Sequence, residues 1–419
     1  MSKVNIPKSP TSSPAKETVF DVIIIGAGAS GLMCAIEAGK RGRNVLLIEH
    51  AKRIGQKILM SGGGRCNFTN LYVEPSNFLC SNPHFVKSAL SRYTQWDFIA
   101  MVDKHNISWH ERDHGQLFCD DSAKQIVQML LDEAKSVGVT IKTQCEVLNH
   151  QQIADNHFSL QTTHGDFSCQ SLVVATGGLS LPKLGATPFA YQLAEQYGLT
   201  VKPTRAGLVP FTLQPSLKEN LEGLSGISFP ATATSIKKEA NKKDKPISFT
   251  EALLFTHRGL SGPVILQISN YWLPGDTILI DLLPSEDLHQ LLSNTQQDRP
   301  ELALKTLLSQ YIPKRVVECL LALANVESRP LKQFNEKELK QVTELFHEWK
   351  PLINGTEGYR TAEVTLGGID TDAISSKTME CKSVKGLYIV GEAMDVTGWL
   401  GGFNFSWCWS CGWAAGQEV

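Results

Sequence analysis

The chain has 419 residues, of which 42% are hydrophobic and 20% are charged, and its formal net charge at pH 7 is −2. This length predicts two or three domains with a large hydrophobic core. The nearly balanced charge excludes binding to nucleic acid or membranes through overall charge alone, although a local patch can still bind either. The ten cysteines are scattered without paired metal-ligand spacing, which predicts no metal site and a reducing, cytoplasmic location.

Residues 1–18 are rich in Ser, Pro and Lys and contain no apolar segment of the kind found in signal peptides. This composition predicts a disordered tail. No apolar run elsewhere reaches the length of a transmembrane helix. We therefore expect a cytoplasmic protein without a membrane partner.

The stretch from Asp21 to Glu49 has the pattern of a dinucleotide-binding β-α-β unit. Residues 22–25 are apolar and β-branched, which is typical of a strand buried in a parallel sheet. A G-x-G-x-x-G motif at residues 26–31 opens a helical pattern, and residues 44–48 predict a second strand. Glu49, at the end of that strand, is placed to accept hydrogen bonds from an adenosine ribose. The agreement of all these parts favours a dinucleotide site over an ordinary turn.

The glycines of this motif have separate physical roles. Gly26 permits the tight turn, Gly28 lets a pyrophosphate approach the backbone, and Gly31 lets the helix pack closely on the strand. Ala29 and Ser30 lie in the first helical turn, whose unpaired N–H groups and partial positive charge favour phosphate. All five are candidate cofactor contacts.

A second glycine cluster follows Glu49 and has two interpretations. Three consecutive glycines suit either a surface loop or a loop whose backbone amides touch a ligand. The nearby acid favours the ligand interpretation, in which the candidate contacts are Lys57, Ser61, Gly62, Gly63, Arg65, Cys66 and Asn67. Arg65 could pair with a phosphate or a flavin oxygen. Cys66 could be a reactive thiol or a small packed residue.

The middle of the first half predicts a helix and a small meander. Residues 123–134 have a helical apolar pattern, and residues 139–148, 158–162 and 167–169 alternate like three antiparallel strands. Residues 172–174 then predict a returning buried strand. It ends in Ala175, Thr176, Gly177 and Gly178, small residues expected to point at the same ligand. A meander in this position favours a flavoprotein domain over a simple dehydrogenase.

The character of the sequence changes after residue 200. Residues 201–284 predict an antiparallel β-rich insert with strands near 208–213, 227–236, 247–255, 264–268 and 277–283. Residues 285–357 predict a helical insert, with breaks at Pro300, Pro313 and Pro330. A basic run at 237–245 contains Lys237, Lys238, Lys242 and Lys243. It is either a solvated hairpin loop or a patch that contacts phosphates.

The C-terminal part predicts the flavin half of the cofactor site. Residues 385–390 form a last buried strand that leads to Gly391, Glu392 and Asp395. An acid in this position can bind the hydroxyl-rich ribityl chain. The glycine-rich start of the next helix, with Gly401, Gly402, Phe403 and Asn404, can place N–H groups against the pyrimidine edge of the ring. FAD is therefore favoured over NAD, and residues 19–200 plus 358–419 are expected to form one FAD-binding domain.

Cys408 and Cys411 form a C-x-x-C at the beginning of the last helix. Such a pair can be a redox dithiol. The surrounding helix is apolar, and there cysteine commonly serves as a small hydrophobic residue. The second interpretation is favoured.

Several stretches together resemble one family, the BaiN-like (YhiN/RdsA-type) flavoproteins. They are GAGASG, IGQKILMSGGGRCNFTN, ATGGLSLPKLGATPFAY, LVPF, FTHRGLSGP, AEVTLGGI and LYIVGEAMDVTGWLGGFNFSWCWSCGWAAG. The resemblance implies an α/β fold, in which a glutathione-reductase-like Rossmann FAD-binding domain is interrupted by a β-barrel-like insert and a helical insert. It also implies reduction of conjugated double bonds, as in unsaturated steroid rings or in uracil of large-subunit ribosomal RNA. Phe403 and Phe405 depart from the Tyr and Leu common in the family, which bears on the substrate pocket.

The leading functional hypothesis is an FAD enzyme driven by NAD(P)H that reduces uridine to dihydrouridine in 23S ribosomal RNA. No second complete G-x-G-x-x-G follows another strand, so the small-molecule electron donor NAD(P)H would reach the flavin through the substrate cleft. Candidate catalytic proton donors are Cys66, His257 and Tyr359. The alternatives are a flavin-dependent amine or amino-ketone oxidase, a small-molecule enone reductase, and a non-catalytic FAD-containing RNA-binding factor.

Overall fold

The computed structural model describes residues 18–238 and 246–419. The expected disordered tail therefore lies outside the described residues, except for Thr18, which begins the first strand. Lys242 and Lys243 of the basic run also lie outside them. Lys237 and Lys238 are described and exposed.

The strands of the described residues are, in chain order, β1 Thr18–Ile25, β2 Val45–Ile48, β3 Asn67–Asn70, β4 Phe78–Leu79, β5 Trp109–Arg112, β6 Gln116–Cys119, β7 Thr140–Lys142, β8 Val147–Ala154, β9 His157–Thr162, β10 Gly165–Val174, β11 Val201–Gly207, β12 Phe211–Leu213, β13 Ser228–Ile236, β14 Ile247–Phe255, β15 Gly259–Ser261, β16 Thr277–Asp281, β17 Ile353–Thr356, β18 Val364–Ile369, β19 Leu387–Ile389 and β20 Thr397–Gly398.

The α-helices of the same residues are α1 Ala29–Lys40, α2 Gln56–Met60, α3 Lys87–Arg92, α4 Gln95–Lys104, α5 Lys124–Ser136, α6 Phe189–Gln196, α7 Pro215–Leu221, α8 Pro263–Ser269, α9 Leu288–Asp298, α10 Leu304–Leu308, α11 Lys314–Leu323, α12 Glu336–His347 and α13 Phe403–Gly416. None of them is long and apolar enough to cross a membrane.

A mixed sheet in the order β7-β2-β1-β10-β9-β8, with β19 also paired to β10, forms the Rossmann-like part of the fold. Strands β7, β2, β1, β10 and β19 are parallel to their neighbours in this group, as continuous apolar runs predict. The α/β prediction is therefore confirmed. The parallel strands all end at one edge, and the loops that follow them converge there.

The expected meander differs from the structure in two places. Residues 167–169 and 172–174 belong to one strand, β10, whose first half pairs with β9 and whose last three residues pair with β19. The stretch 139–148 is divided: residues 140–142 form β7 beside β2, and β8 begins only at Val147. Side-chain alternation reports which face of a strand is buried but not which neighbour it pairs with, so the sequence could not show either change.

The hydrophobic residues form two separate cores. The first core surrounds the mixed sheet and includes α1, α5 and α13. In α13 the Trp409 ring stacks on Phe98 at 4.2 Å between ring centroids, and its Nε1 donates to the Phe68 carbonyl at 2.8 Å. The polar edge of this buried indole is thus satisfied, which allows an aromatic-rich helix to lie in the interior.

The second core lies between an antiparallel sheet and helices α8 to α12. The sheet has the order β16-β13-β14-β15-β12-β17, and Trp349, just before β17, exchanges two backbone hydrogen bonds with Ile280 of β16. This contact draws the two edges of the sheet toward each other. The expected strand at 264–268 is wrong, because these residues lie in α8, which begins after Gly262 with Pro263 in its first turn. A five-residue apolar run does not distinguish a strand from a buried helix.

Two strand pairings cross the domain boundaries expected from the sequence. Strand β17, in the expected helical insert, pairs with β12, and β11 pairs with β18. The division at residues 200, 284 and 357 therefore stays a prediction. The two cores support a division into at least two folding units.

The close contact of α1 with α13 makes a testable prediction about Gly412. A Cβ at this position would lie 2.4 Å from the Ser30 carbonyl oxygen, so the two helices would have to separate. We expect Gly412→Ala to lower the free energy of unfolding by about 1–3 kcal/mol, the usual cost of overpacking. Thermal unfolding measures this. Gly223→Ala is the control, because its nearest atom would be the Arg315 guanidinium nitrogen at 3.7 Å; equal melting temperatures for the two variants would contradict the packing argument.

Candidate cofactor and substrate cleft

A cavity of about 700 Å³ lies at the edge where the parallel strands end. Its wall contains residues that follow β1, β2 and β10, the glycine loop after α2, and the beginning of α13. Of the residues expected to bind the cofactor, those that line this cavity are Gly26, Gly28, Ala29, Ser30, Glu49, Lys57, Ser61, Gly62, Gly63, Asn67, Ala175, Thr176, Gly177, Glu392, Gly401, Gly402 and Asn404. Segments more than 300 residues apart in sequence thus share one cleft.

The remaining expected residues do not line the cavity. They are Gly31, Arg65, Cys66, Gly178, Gly391, Asp395, Phe403, His257 and Tyr359. Several of them support the wall from behind. The expected roles of these nine residues in binding or catalysis stay predictions.

At Gly26 and Gly31 of the G-x-G-x-x-G motif, neighbouring backbone atoms lie so close that a side chain would collide with them. A Cβ at Gly31 would lie 1.9 Å from the Gly26 carbonyl oxygen, and a Cβ at Gly26, which has φ +107°, would lie 2.5 Å from the Ala175 carbonyl oxygen. A Cβ at Gly28 would meet no protein atom within 4 Å. Gly26 and Gly31 are therefore needed by the fold, whereas the space at Gly28 is left for a ligand.

Two backbone N–H groups, one from the glycine-rich turn and one from the segment after β2, hold the Glu49 carboxylate. Its Oε2 accepts a hydrogen bond from Ala27 N at 2.9 Å, and its Oε1 accepts one from Ala51 N at 2.8 Å. Burial alone would raise the pKa of this carboxyl. The hydrogen bonds from His50, Ala51 and Ala27 outweigh burial and leave the pKa below its usual value. Glu49 is thus a carboxylate at neutral pH, and its remaining lone pairs can accept ribose hydroxyls.

A polar network crosses the cleft between its first and last segments. Lys57 Nζ donates to Glu392 Oε2 at 2.7 Å and to Ser180 Oγ at 2.6 Å. The other carboxylate oxygen of Glu392 accepts from Thr365 N at 2.9 Å and lies 3.0 Å from Ser180 Oγ. Glu392 therefore anchors three chain segments, in addition to the cofactor role expected from sequence.

Ser180 and Thr365 were not singled out by the sequence analysis, although both lie in stretches that carry the family resemblance. Thr365 Oγ1 accepts hydrogen bonds from the backbone of Leu179 and Ser180. A Cβ at Gly178 would lie 2.5 Å from that same Oγ1, so glycine there allows the network to close. Gly178 thus allows close packing behind the cavity wall.

The beginning of α13 is fixed by Asn404. Its side chain accepts from Gly398 N at 2.8 Å and donates to the Gly398 carbonyl at 2.9 Å and the Trp399 carbonyl at 3.2 Å. This clamp holds the turn that carries Gly401 and Gly402 against the cavity. Gly401, Gly402 and Asn404 thus line the cavity at the start of α13, and contacts of the helix N–H groups to an electron-rich ring edge stay a prediction.

The three proton donors expected from sequence lie away from the cavity wall. Cys66 is fully buried, and burial raises the pKa of its thiol above its usual value. His257 is exposed in the loop between β14 and β15. Tyr359 has a buried hydroxyl without a hydrogen-bond partner among the described residues. Glu363, which the sequence analysis missed, does line the cavity.

Arg65 and Asp395 also lie outside the cavity wall. Arg65 is exposed beside the glycine loop. Asp395 is buried, and its Oδ2 accepts a hydrogen bond from Ser81 N at 3.2 Å. Neither lines the cavity, so their expected roles stay predictions.

Cys408 lines the cavity, whereas Cys411 is buried behind it and accepts a hydrogen bond from Gly391 N at 3.1 Å. All ten cysteines are free thiols. Burial raises the pKa of Cys408 to about 12, and the pKa of Cys411 is also raised by burial. Neither sulfur is an activated thiolate at neutral pH, which favours the packing interpretation of the pair.

The empty space and the unpaired polar atoms of this cleft fit an extended ligand with phosphates and hydroxyls. A Cβ at Gly63 or Gly177, like one at Gly28, would meet nothing within 4 Å. The hydroxyls of Thr176 and Thr361, both in the cavity wall, are buried without a hydrogen-bond partner among the described residues. Such orphaned groups in a pocket indicate a missing partner. A dinucleotide with its pyrophosphate at Gly28 would fill this space.

Comparison with known proteins relates the whole chain to a described family. Residues 20–418 match the family model described as HI0933-like protein Rossmann domain. The chain is 54% identical over 400 residues to the ribosomal RNA dihydrouridine synthase of Escherichia coli (strain K12), which covers 96% of this chain and 98% of that protein. The protein of the same name from Haemophilus influenzae is 50% identical, over 95% of this chain and 98% of that protein.

More distant relatives include a small-molecule reductase. The 3-dehydro-bile acid delta(4,6)-reductase of Clostridium scindens is 26% identical over 94% of this chain and 98% of that protein. A solved quinol-fumarate reductase with menaquinol molecules has a TM-score of 0.50 at 16% identity, covering 96% of this chain and 71% of that chain. The second likeness is one of fold alone.

Gly28 provides a test of the dinucleotide site. We expect Gly28→Val to abolish retention of FAD, because the new side chain would occupy the pyrophosphate space without disturbing neighbouring protein atoms. The flavin released on denaturation and the melting temperature of cofactor-free protein are the measurements. Gly355→Val is the control, since only Thr212 Oγ1, at 3.7 Å, would lie near its Cβ. Full FAD content in Gly28→Val would place the site elsewhere.

The Lys57–Glu392 pair provides a second test. Lys57→Met removes the cation and leaves a carboxylate whose side chain is 15% exposed with only Ser180 and Thr365 as partners. We expect a loss of about 1–3 kcal/mol in the free energy of unfolding. Adding Glu392→Gln to Lys57→Met should recover part of that loss, because the unpaired charge is removed. If the double variant is no more stable than Lys57→Met, the two residues are not coupled.

Proposed function

We propose that this chain, which belongs to the HI0933-like Rossmann-domain family, is an FAD-dependent oxidoreductase that reduces uridine to dihydrouridine in 23S ribosomal RNA. One observation carries the proposal: a single cleft joins the G-x-G-x-x-G turn to the beginning of α13, in a chain 54% identical to a ribosomal RNA dihydrouridine synthase over nearly its whole length. The residues expected to bind the two halves of FAD thus line the same cavity. A ribosomal RNA substrate also favours a cytoplasmic location.

FAD supplies hydride transfer when it is bound and reduced. The residues that would hold it are Gly28 at the pyrophosphate, Glu49 at the adenosine ribose, and Gly401 and Gly402 at the start of α13. The Lys57–Glu392 pair keeps the first and last segments of the cleft together. NAD(P)H is the proposed electron donor, and it would enter through the same opening as the substrate.

Residues after β11 and at the beginning of α8 complete the cleft. Leu208 and Pro263 line it together with residues of the Rossmann-like part. The backbone of Leu400 donates to the Gln267 side chain at 2.9 Å, and Trp399 Nε1 donates to Tyr271 Oη at 2.7 Å. These contacts join α8 and the residues that follow it to the turn that carries Gly401.

A uracil base must leave its stacked position to enter a cavity of this kind. Exposed basic side chains at the cleft suit the phosphates of such an RNA segment: Lys52, Arg53, Arg65 and Lys183 are all exposed on segments that flank the cavity. Phosphate contacts of this type determine affinity without reading sequence. Lys237 and Lys238, in the run that is either a solvated loop or a phosphate-contacting patch, do not line the cavity, so a phosphate-binding role for that run stays a prediction.

Reduction of a small conjugated enone is a second candidate. The relative named 3-dehydro-bile acid delta(4,6)-reductase aligns along 98% of its own length. A carbonyl-conjugated double bond is common to uracil and to such a compound, so the same arrangement of flavin and proton donor could serve both. The higher identity to the ribosomal RNA enzymes favours uridine.

Complementation tests the proposed function. We expect this chain to restore dihydrouridine in 23S ribosomal RNA of an Escherichia coli strain that lacks its own ribosomal RNA dihydrouridine synthase, because the two proteins align over nearly their full lengths. Mass spectrometry of nucleosides from purified ribosomal RNA measures the product. Gly28→Val is the inactive control and Gly355→Val the active one. FAD-loaded wild-type protein that restores no dihydrouridine would contradict the RNA substrate and leave the enone reductase.

A further inference from the structure

The carboxyl group of Glu363 lies in the cleft without a partner. Its side chain is open to the cavity, and among residues 18–238 and 246–419 no side chain or backbone group forms a hydrogen bond or ion pair with the carboxyl oxygens. Glu363 is exposed to the space of the cavity, and an unpaired acid that faces a ligand-sized cavity is a candidate functional residue. Glu363 is therefore a candidate for chemistry.

The backbone of Glu363 is fixed on both sides. Its N–H donates to the Leu208 carbonyl at 3.2 Å, and its carbonyl oxygen lies 3.0 Å from Ser180 Oγ. The next residue begins β18, where Thr365 N is bonded to Glu392. This anchoring holds the side chain against the cavity while the carboxyl itself remains free, as a group that must reach a substrate requires.

The other acids of the cavity wall are differently placed. Glu49 is occupied by two backbone N–H groups, and Glu392 by Lys57 and Thr365. Glu146 is exposed and lies close to His50 beside Glu49, at the expected adenosine end. A carboxylate whose oxygens bind the scaffold cannot exchange a proton without breaking the site. Of the four acids, only Glu363 places a carboxyl without a partner among the described residues at the end of the cavity formed by Leu208 and the last segments.

The protein around the cavity desolvates the Glu363 carboxyl and raises its pKa to about 7, so a large share of the carboxyl is protonated at neutral pH. The titratable groups on the elements that contact β18, the strand directly after Glu363, are Lys202 and Arg205 in β11, Tyr191 and Glu195 in α6, and Glu392 after β19; Glu357, Tyr359 and Arg360 lie in the same loop as Glu363. Lys57 and Glu392 bind each other, and the Arg205 guanidinium donates to backbone carbonyls beyond β11. No neighbouring charge contributes to the raised pKa, so desolvation is its cause.

We propose that Glu363 is the proton donor of the reductive step, and this inference rests on the proposed reduction of uridine. A hydride from the reduced flavin would add to C6 of the uracil ring, while the Glu363 carboxyl would give its proton to C5. The C5=C6 double bond would become a single bond as each carbon gains one C–H bond, the flavin would be oxidised by two electrons, and Glu363 would be left as a carboxylate. Water then returns the proton to Glu363, and NAD(P)H supplies the next hydride equivalent to the cofactor.

The two half-reactions separate this role from a structural one. We expect Glu363→Gln to bind FAD and to be reduced by NAD(P)H like wild type, since neither step uses the carboxyl proton. Reoxidation of the prereduced variant by ribosomal RNA lacking dihydrouridine should slow by on the order of 100-fold or more. Stopped-flow absorbance of the flavin measures both rates. Glu363→Asp, which keeps an acid, should retain more of the reoxidation rate than Glu363→Gln.

The pH dependence adds a signature that a packing role would not produce. The protonated form donates, so the wild-type reoxidation rate should fall as pH rises through about 7. In Glu363→Gln the slower rate should lack this dependence. Equal reoxidation rates for wild type and Glu363→Gln would overturn the inference. If wild-type enzyme is not reoxidised by RNA at all, the proposed function fails, and protonation of uridine by Glu363 fails with it.

A stability measurement tests the protonation state without substrate. The pKa of Glu363 in the folded protein lies above its ordinary value of 4.5, so stability from the protonated carboxyl is lost as pH rises through about 7. The neutral amide of Glu363→Gln does not titrate, so that variant loses no stability from this position as pH rises. The melting temperature of Glu363→Gln relative to wild type should therefore increase between about pH 5 and about pH 9. A constant difference would show that Glu363 is ionised throughout this range, and would overturn its role as an acid whichever substrate is used.

Discussion

The parallel pairing of β1 with β10 is the constraint on which the cleft depends. It places Ile25 beside Val174, so the two strands end together and Gly26 lies against Ala175. The distance is so short that only glycine fits at residue 26, and α1 can begin there only because Gly31 also lacks a side chain. The turn, the helix N-terminus and the end of β10 are thereby brought to one edge of the sheet, the usual position of a ligand in such folds.

The second determinant of the site is that its acidic residues differ in their hydrogen-bond partners. Glu49 and Glu392 each accept several hydrogen bonds and keep distant segments together. Glu363 shares the same cavity but its carboxyl has no partner among the described residues. Residues of identical chemistry thus differ in role because of their donors. Hydrogen bonds lower the pKa of Glu49, whereas desolvation raises the pKa of Glu363.

The second core matters to the site through a few contacts. Pro263, the first residue of α8, lines the cavity. Gln267 and Tyr271, in and just after α8, bind the turn that leads to Gly401. The segment expected to be a strand is therefore a helix that supports one end of the cleft. Its position shows how residues of the second core contribute to a cleft whose other walls belong to the Rossmann-like part.

The amino-acid sequence was sufficient to predict the first β-α-β unit and the α/β class, and most of the residues it suggested for the cofactor line the cavity. These features depend on local rules: apolar runs, glycines at fixed spacing and an acid at a strand end. The tertiary structure alone decided that β10 is one strand, that residues 263–269 are helical, and that Lys57 meets Glu392. Only the structure shows that Glu363 lines the cavity, whereas Cys66, His257 and Tyr359 do not. The reason is physical: a residue's burial and hydrogen-bond donors come from segments far along the chain, and a single sequence carries no record of which segments meet.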